Sequence, residues 1–203
     1  MIATTRARAR LARAVALLST ALLIASLLPI APIAVVLGAS FIVQAADNTA
    51  IPADTTSAGG TNTPTPVQNL IVQEGGAGDI GAGTLILTVP TGFVWSGAAA
   101  VAVKDVAIPA NNCGSLAATI GQTATAITLG FTRNDATKAC LITVSAIQVI
   151  PTQGTPLIAA SAIVKSGTAT GLPSSGYGTL ATVAGTPVKL AFTQHPSTSP
   201  SAV

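Results

Sequence analysis

Between Val67 and Val183 the apolar side chains recur with a period of two, the spacing of strands with one buried face, rather than the 3.6 of a helix. The densest stretch, Leu70–Trp95, reads LIVQEGGAGDIGAGTLILTVPTGFVW. Two strand-like runs, Leu70–Gln73 and Thr84–Val89, flank a Gly-rich segment and lead into a Pro90-Thr91-Gly92 turn. In the second run Leu85, Leu87 and Val89 share one face, with Thr84, Ile86 and Thr88 on the other. Phe93 and Trp95, two apart, share a face of the extended segment after the turn.

A short alternation around Val101 and Val103 is followed by a loop at Asn111-Asn112-Cys113-Gly114. Thr125–Thr132 resumes the pattern with Ile127, Leu129 and Phe131 on one face, and Arg133-Asn134-Asp135 turns the chain. In Lys138–Ile150, Cys140, Ile142 and Val144 align, and then Ile147 and Val149 continue one residue out of phase. That slip predicts a bulge or a strand passing between two sheets. Leu157–Val164 and Gly178–Val183 are two weaker strands on either side of the Gly/Pro/Ser-rich stretch 167–176. With no helical segment evident after the N-terminal apolar run, the pattern predicts an all-β sandwich over residues 67–186, about 120 residues and enough for one core.

The first 45 residues break this pattern. Arg6, Arg8, Arg10 and Arg13 precede an apolar run from Ala14 to Val43, interrupted by Pro29 and Pro32 and ending in Val43-Gln44-Ala45. This is the layout of an export signal, a hydrophobic helix with a cut expected after Ala45 or nearby. The run exceeds the roughly 7–15 residues of a signal core and matches the roughly 20 that span a bilayer, so an uncleaved signal-anchor is the competing reading. Either way the rest of the chain is expected outside the cytoplasm, secreted or at the cell surface, with membrane contact only through an uncleaved N-terminal segment. Residues 46–66, ADNTAIPADTTSAGGTNTPTP, carry few large apolar side chains and are expected to be a flexible Thr/Pro-rich linker. Residues 187–203 open with a strand-like Val188–Thr193 and decay into HPSTSPSAV, the start of an incomplete further module or a disordered tail.

Charge changes little in this picture. Charged residues make up 7% of the chain, against about 25% in an ordinary soluble domain, and the net charge of +3 comes from the N-terminal arginines. Beyond them five basic residues face six acids, so there is no basic footprint for nucleic acid.

Candidate chemistry is sparse. Cys113 and Cys140 are the two cysteines, and in an exported chain they are expected to form a disulfide contributing on the order of 3 kcal/mol; two buried free thiols is the alternative. The one histidine, His195, lies in the tail, so neither a zinc site nor a serine- or cysteine-based catalytic group assembles. Glu74 and Asp79 offer oxygens to calcium, but their spacing fits no calcium loop and points to a solvated acidic turn. The glycines of 75–78 and 81–83 precede a strand and lack a Lys-Ser/Thr ending, so they are a strand connection and not a phosphate cradle. No cofactor, metal or catalytic residue is predicted. Trp95 and Tyr177 are the candidates for stacking on a sugar ring, although a chain with 3% aromatic residues ordinarily places them in its core.

Leu70–Trp95, with its Gly-Thr-Leu-Ile-Leu-Thr-Val strand and Pro-Thr-Gly-Phe-Val-Trp turn, resembles the start of cohesin-like or immunoglobulin-like β-sandwich modules of secreted bacterial surface proteins. Cys140–Pro151, CLITVSAIQVIP, is similar to a strand past the midpoint of such modules, and VKLAFTQHPS to the first strand of a further immunoglobulin-like repeat. The resemblance implies a non-enzymatic structural or adhesion module whose partners are other surface-protein modules, extracellular matrix or glycan. A carbohydrate-binding module using Trp95 and Tyr177 is the alternative.

Overall fold

A computed structural model describes residues 39–185. The described residues form strands β1 (Phe41–Gln44), β2 (Asn48–Pro52), β3 (Thr65–Pro66), β4 (Leu70–Gln73), β5 (Gly83–Thr88), β6 (Phe93–Ser96) and β7 (Ala100–Asp105). They continue with β8 (Leu116–Gln122), β9 (Ala126–Arg133), β10 (Cys140–Ser145), β11 (Gln148–Pro151), β12 (Ser161–Ala162), β13 (Val164–Ser166) and β14 (Thr179–Val183). Apart from one 3₁₀ turn at Ala53–Thr55 they contain no helix, so the chain is all-β here and no described helix is long and apolar enough to cross a membrane.

Two four-stranded antiparallel sheets dominate, in the orders β1-β4-β10-β7 and β13-β5-β9-β8. In the second, Leu85 stands opposite Leu129 and Leu87 opposite Ile127. In the first, Val72 stands opposite Ile142 and Leu70 opposite Val144. All eight side chains are buried in one continuous core, which is the layering of a β-sandwich. Strict alternation explains it, since a period-two pattern sends every second side chain to the same face and leaves Ile86, Thr128, Ile71 and Thr143 facing outward, half-buried.

The phase slip after Val144 marks a crossing. β10 pairs with β4 and β7, whereas β11 pairs with β3 and β6 in a separate three-stranded sheet. Between them Ala146 has φ +55, a left-handed conformation uncommon for alanine, and Ile147 and Val149 are buried beyond it. One extended segment thus serves two sheets.

The N-terminal part of the described chain departs from expectation. Residues 46–66 are not a free linker: β2 runs parallel to β14, β3 pairs with β11, and Ile51 is fully buried. Low apolar content does not prevent ordering here, because neighbouring strands and side chains satisfy the backbone. Asp47 accepts the N–H of Thr179 at 2.6 Å, and the Asn48 side chain donates to the Pro66 carbonyl at 2.9 Å. Phe41–Gln44, at the end of the expected signal, forms β1 and pairs with β4. The earlier part of that segment and the strand-like Val188–Thr193 lie outside the described residues. β8, LAATIGQ, was not expected either, its small side chains giving no strong alternation, yet it pairs with β9 over seven residues.

Candidate functional site

The Cys113–Cys140 disulfide forms, with the two Cα atoms 5.7 Å apart. It ties the β7–β8 connection to the first residue of β10 and anchors an end of the sandwich where most of the charged side chains of the fold gather. Glu74, just past β4, is 1% exposed, so the expected solvated acidic turn is corrected at this residue. Its carboxylate pairs with the Arg133 guanidinium at the end of β9. It also accepts the N–H of Ile80 on Oε1 and that of Cys140 on Oε2, each at 2.8 Å. Arg133 Nε in turn donates to the Ile80 carbonyl at 3.0 Å. Burial of a carboxylate is tolerated when it is paired and hydrogen-bonded, and here both conditions hold.

Two further acids complete this end. Asp105 is buried and receives Lys138 Nζ at 2.9 Å, and that hydrogen bond holds its pKa below the ordinary value. Asp135 accepts the Ser115 hydroxyl at 2.5 Å and the Thr137 hydroxyl at 2.7 Å, and these bonds, Ser115 first, bring its pKa down to about 2. Among the described residues every buried side-chain nitrogen and oxygen has a hydrogen-bond partner, and no group of three His, Cys, Asp or Glu residues is placed to hold a metal ion. The cluster is therefore consumed by its own contacts, which fasten the loops at this end.

The Gly-rich segment is a tightly packed connection. Asp79 Oδ2 accepts the Gly76 N–H at 2.7 Å, closing the turn on itself. The chain at 168–171 lies against it, with the Gly81 N–H donating to the Thr170 carbonyl at 3.2 Å. A Cβ on Gly171, where φ is +74, would fall 1.8 Å from the Asp79 carbonyl oxygen.

The aromatic candidates are corrected by burial. Trp95 is 4% and Tyr177 1% exposed, so neither presents a ring face to a sugar. The Trp95 indole donates to the Leu87 carbonyl at 3.3 Å and the Tyr177 hydroxyl to the Pro173 carbonyl at 2.9 Å, so each ring is core with its polar tip satisfied. His195 lies outside the described residues.

Two other surface features stand out. An open groove of about 700 Å³ runs between the 3₁₀ turn and the segment after β11, lined by small side chains and backbone around Asp54 and Gln153. The second is the outer face of the β1-β4-β10-β7 sheet. Phe41 stands opposite Gln73, which stands opposite Leu141, which stands opposite Lys104. The next row brings Gln44, Ile71, Thr143 and Ala102 together. Phe41 and Val43 are 46% and 52% exposed, and Lys104 is the one charge in these rows. Nothing in the sequence pattern signalled this face, because Phe41 and Val43 read as the end of an apolar signal.

No family model matches the chain, and neither does any curated protein or solved structure.

Proposed function

We propose that the chain is an exported structural or adhesion module of a bacterial cell-surface protein, a β-sandwich of the cohesin-like or immunoglobulin-like kind that acts by contact and not by catalysis. The observation that carries this reading is the outer face of the β1-β4-β10-β7 sheet. Phe41, Ile71 and Leu141 give it apolar area, Lys104 is its only charge, and β1 ends the sheet with an unpaired edge among the described residues. Edge strands of soluble proteins are ordinarily guarded by charges, prolines or bulges. Here the one guard is the irregularity between Ile42 and Gln44. The polar end of the fold supports the same reading, since its charged groups are spent on holding loops in place. The partner is another surface module or a matrix component that meets this face, and neighbouring modules act as spacers.

Sedimentation velocity of the exported protein over a wide concentration range, alone and with Phe41→Lys, tests whether the face mediates contact between modules. Concentration-dependent association that Phe41→Lys abolishes is the expected result. A strict monomer throughout removes self-contact from the reading, and association indifferent to the substitution places the contact elsewhere.

A further inference from the structure

We propose that the mature chain begins at Ala39, by hydrolysis of the Gly38–Ala39 bond upstream of β1, and not at Ala46 as the Val43-Gln44-Ala45 triplet predicts. The inference rests on the export reading and sharpens it. Hydrolysis consumes one water. The C–N bond breaks, the Gly38 carbonyl carbon takes the water oxygen and leaves as a carboxylate, and the Ala39 nitrogen becomes the new α-ammonium. The catalyst is the membrane-bound signal peptidase of an exporting cell.

The Ala45–Ala46 bond is a poor place for that reaction. Ala46 is 1% exposed, and its N–H donates to the Tyr177 carbonyl at 2.9 Å. Its carbonyl lies so close to Gly178 that a Cβ there would fall 2.3 Å away. A cut at this bond turns a buried amide into an α-amine with a pKa of about 7.7–8.0, charged at neutral pH at a site built for a neutral donor. It also deletes β1 whatever the order of cutting and folding. Ile42, opposite Val72, packs against the core, and the buried Ser40 hydroxyl donates to the Gly171 carbonyl. A chain starting at Ala46 loses all of these contacts and opens the edge of β4.

The segment just before β1 supplies what the reaction needs. Gly38, Ala39 and Ser40 are the small residues between the apolar run and the strand, and Val36-Leu37-Gly38 places a small residue at the cut, in the manner of a signal-peptidase site. Of the two residues after Gly38, Ala39 is exposed and Ser40 is 5% exposed. A new ammonium is therefore solvated on Ala39 and buried on Ser40, which selects the Gly38–Ala39 bond.

The test is intact-mass and N-terminal sequencing of the full chain exported by a bacterial host, with compartment assigned separately by protease accessibility of intact cells. An N-terminus at Ala39 is expected, with loss of processing in Gly38→Leu and unchanged processing in Ala45→Leu. A start at Ala46, with Ala45→Leu now the blocking substitution, overturns the inference while leaving export intact; any other N-terminus overturns the choice of bond. An uncut chain outside the cell overturns it as well, and an uncut chain inside the cytoplasm also sinks the export reading.

Discussion

Glu74 and Arg133, 59 residues apart in sequence, form an ion pair in which the carboxylate side chain is fully buried and the guanidinium side chain 14% exposed. The same carboxylate holds the amides of Ile80 and Cys140, so a single side chain joins the end of β4, the Gly-rich turn and the start of β10. Glu74→Ala leaves the partly exposed guanidinium without its counter-charge and two amides without acceptors. The expected cost is about 3–5 kcal/mol, the range for breaking a buried pair from one side, read as a lower urea midpoint. A loss under about 1 kcal/mol would show that water reaches the site.

Asp135 makes stability depend on acid. Its ordinary pKa of 3.8 falls to about 2 in the folded chain, so the folded state binds fewer protons than the unfolded state in between. The stabilisation is complete above pH 3.8 and is lost as the pH falls toward about 2. Asp105, lowered through Lys138, acts in the same direction. Thermal midpoints measured across that window should fall with pH, and Asp135→Asn should flatten the decline. An unchanged slope in the variant assigns the effect to other carboxylates.

Reducing the disulfide, or replacing both Cys113 and Cys140 with serine, frees a loop closed across 27 positions. The chain-entropy model gives about 3–4 kcal/mol for such a loop. Because Cys140 also donates its amide to Glu74, loosening it disturbs the ion pair, so the loss in the double-serine variant should equal or exceed that figure. Chemical denaturation with and without reductant measures it, and identical midpoints would mean that the packing around both residues already fixes the loop.

The strands that form the core were legible where large apolar residues alternate. Leu85, Leu87, Ile127, Leu129 and Phe131 are buried as the period of two requires, and the slip between Val144 and Ile147, which predicts either a bulge or a crossing, is a move from one sheet to another. Legibility failed where side chains are small or the signal is shared. β8 offers Ala117, Ala118 and Gly121, which carry little hydrophobic contrast. β1 continues an apolar run whose composition already had an explanation. β2 owes its order to a parallel pairing with β14 more than 120 residues away, which no local window contains. At the polar end, Glu74 and Arg133 each read as turn residues, since nothing local to either indicates the other.

Gly171 is required by a close approach. With φ +74 and the Asp79 carbonyl oxygen 1.8 Å from an ideal Cβ, Gly171→Ala meets both backbone strain and a steric clash. Strain of this kind costs about 1–3 kcal/mol by itself, so the total should reach about 2 kcal/mol or more, with accelerated amide exchange at Ile80 and Gly81. Gly114→Ala is the control, because nothing lies within 4 Å of its Cβ and its φ is ordinary for an L-residue; it should change stability by less than about 0.5 kcal/mol. Equal effects of the two would remove the close approach as the cause.

Tyr177 tests whether the aromatic ring belongs to the core. Burial raises its hydroxyl from the ordinary 10.0 to about 12, because the phenolate loses solvation that the neutral phenol does not need. The raised value means full stabilisation below pH 10.0, declining as the pH rises toward about 12, so alkaline unfolding should accompany phenolate absorbance in one transition. Tyr177→Phe removes the hydrogen bond to the Pro173 carbonyl together with the titrating group. It should cost about 1 kcal/mol at neutral pH and shift alkaline unfolding upward. A phenolate signal near pH 10.0 in a chain that remains folded would mean the ring faces solvent, which would restore it as a candidate for stacking on a glycan.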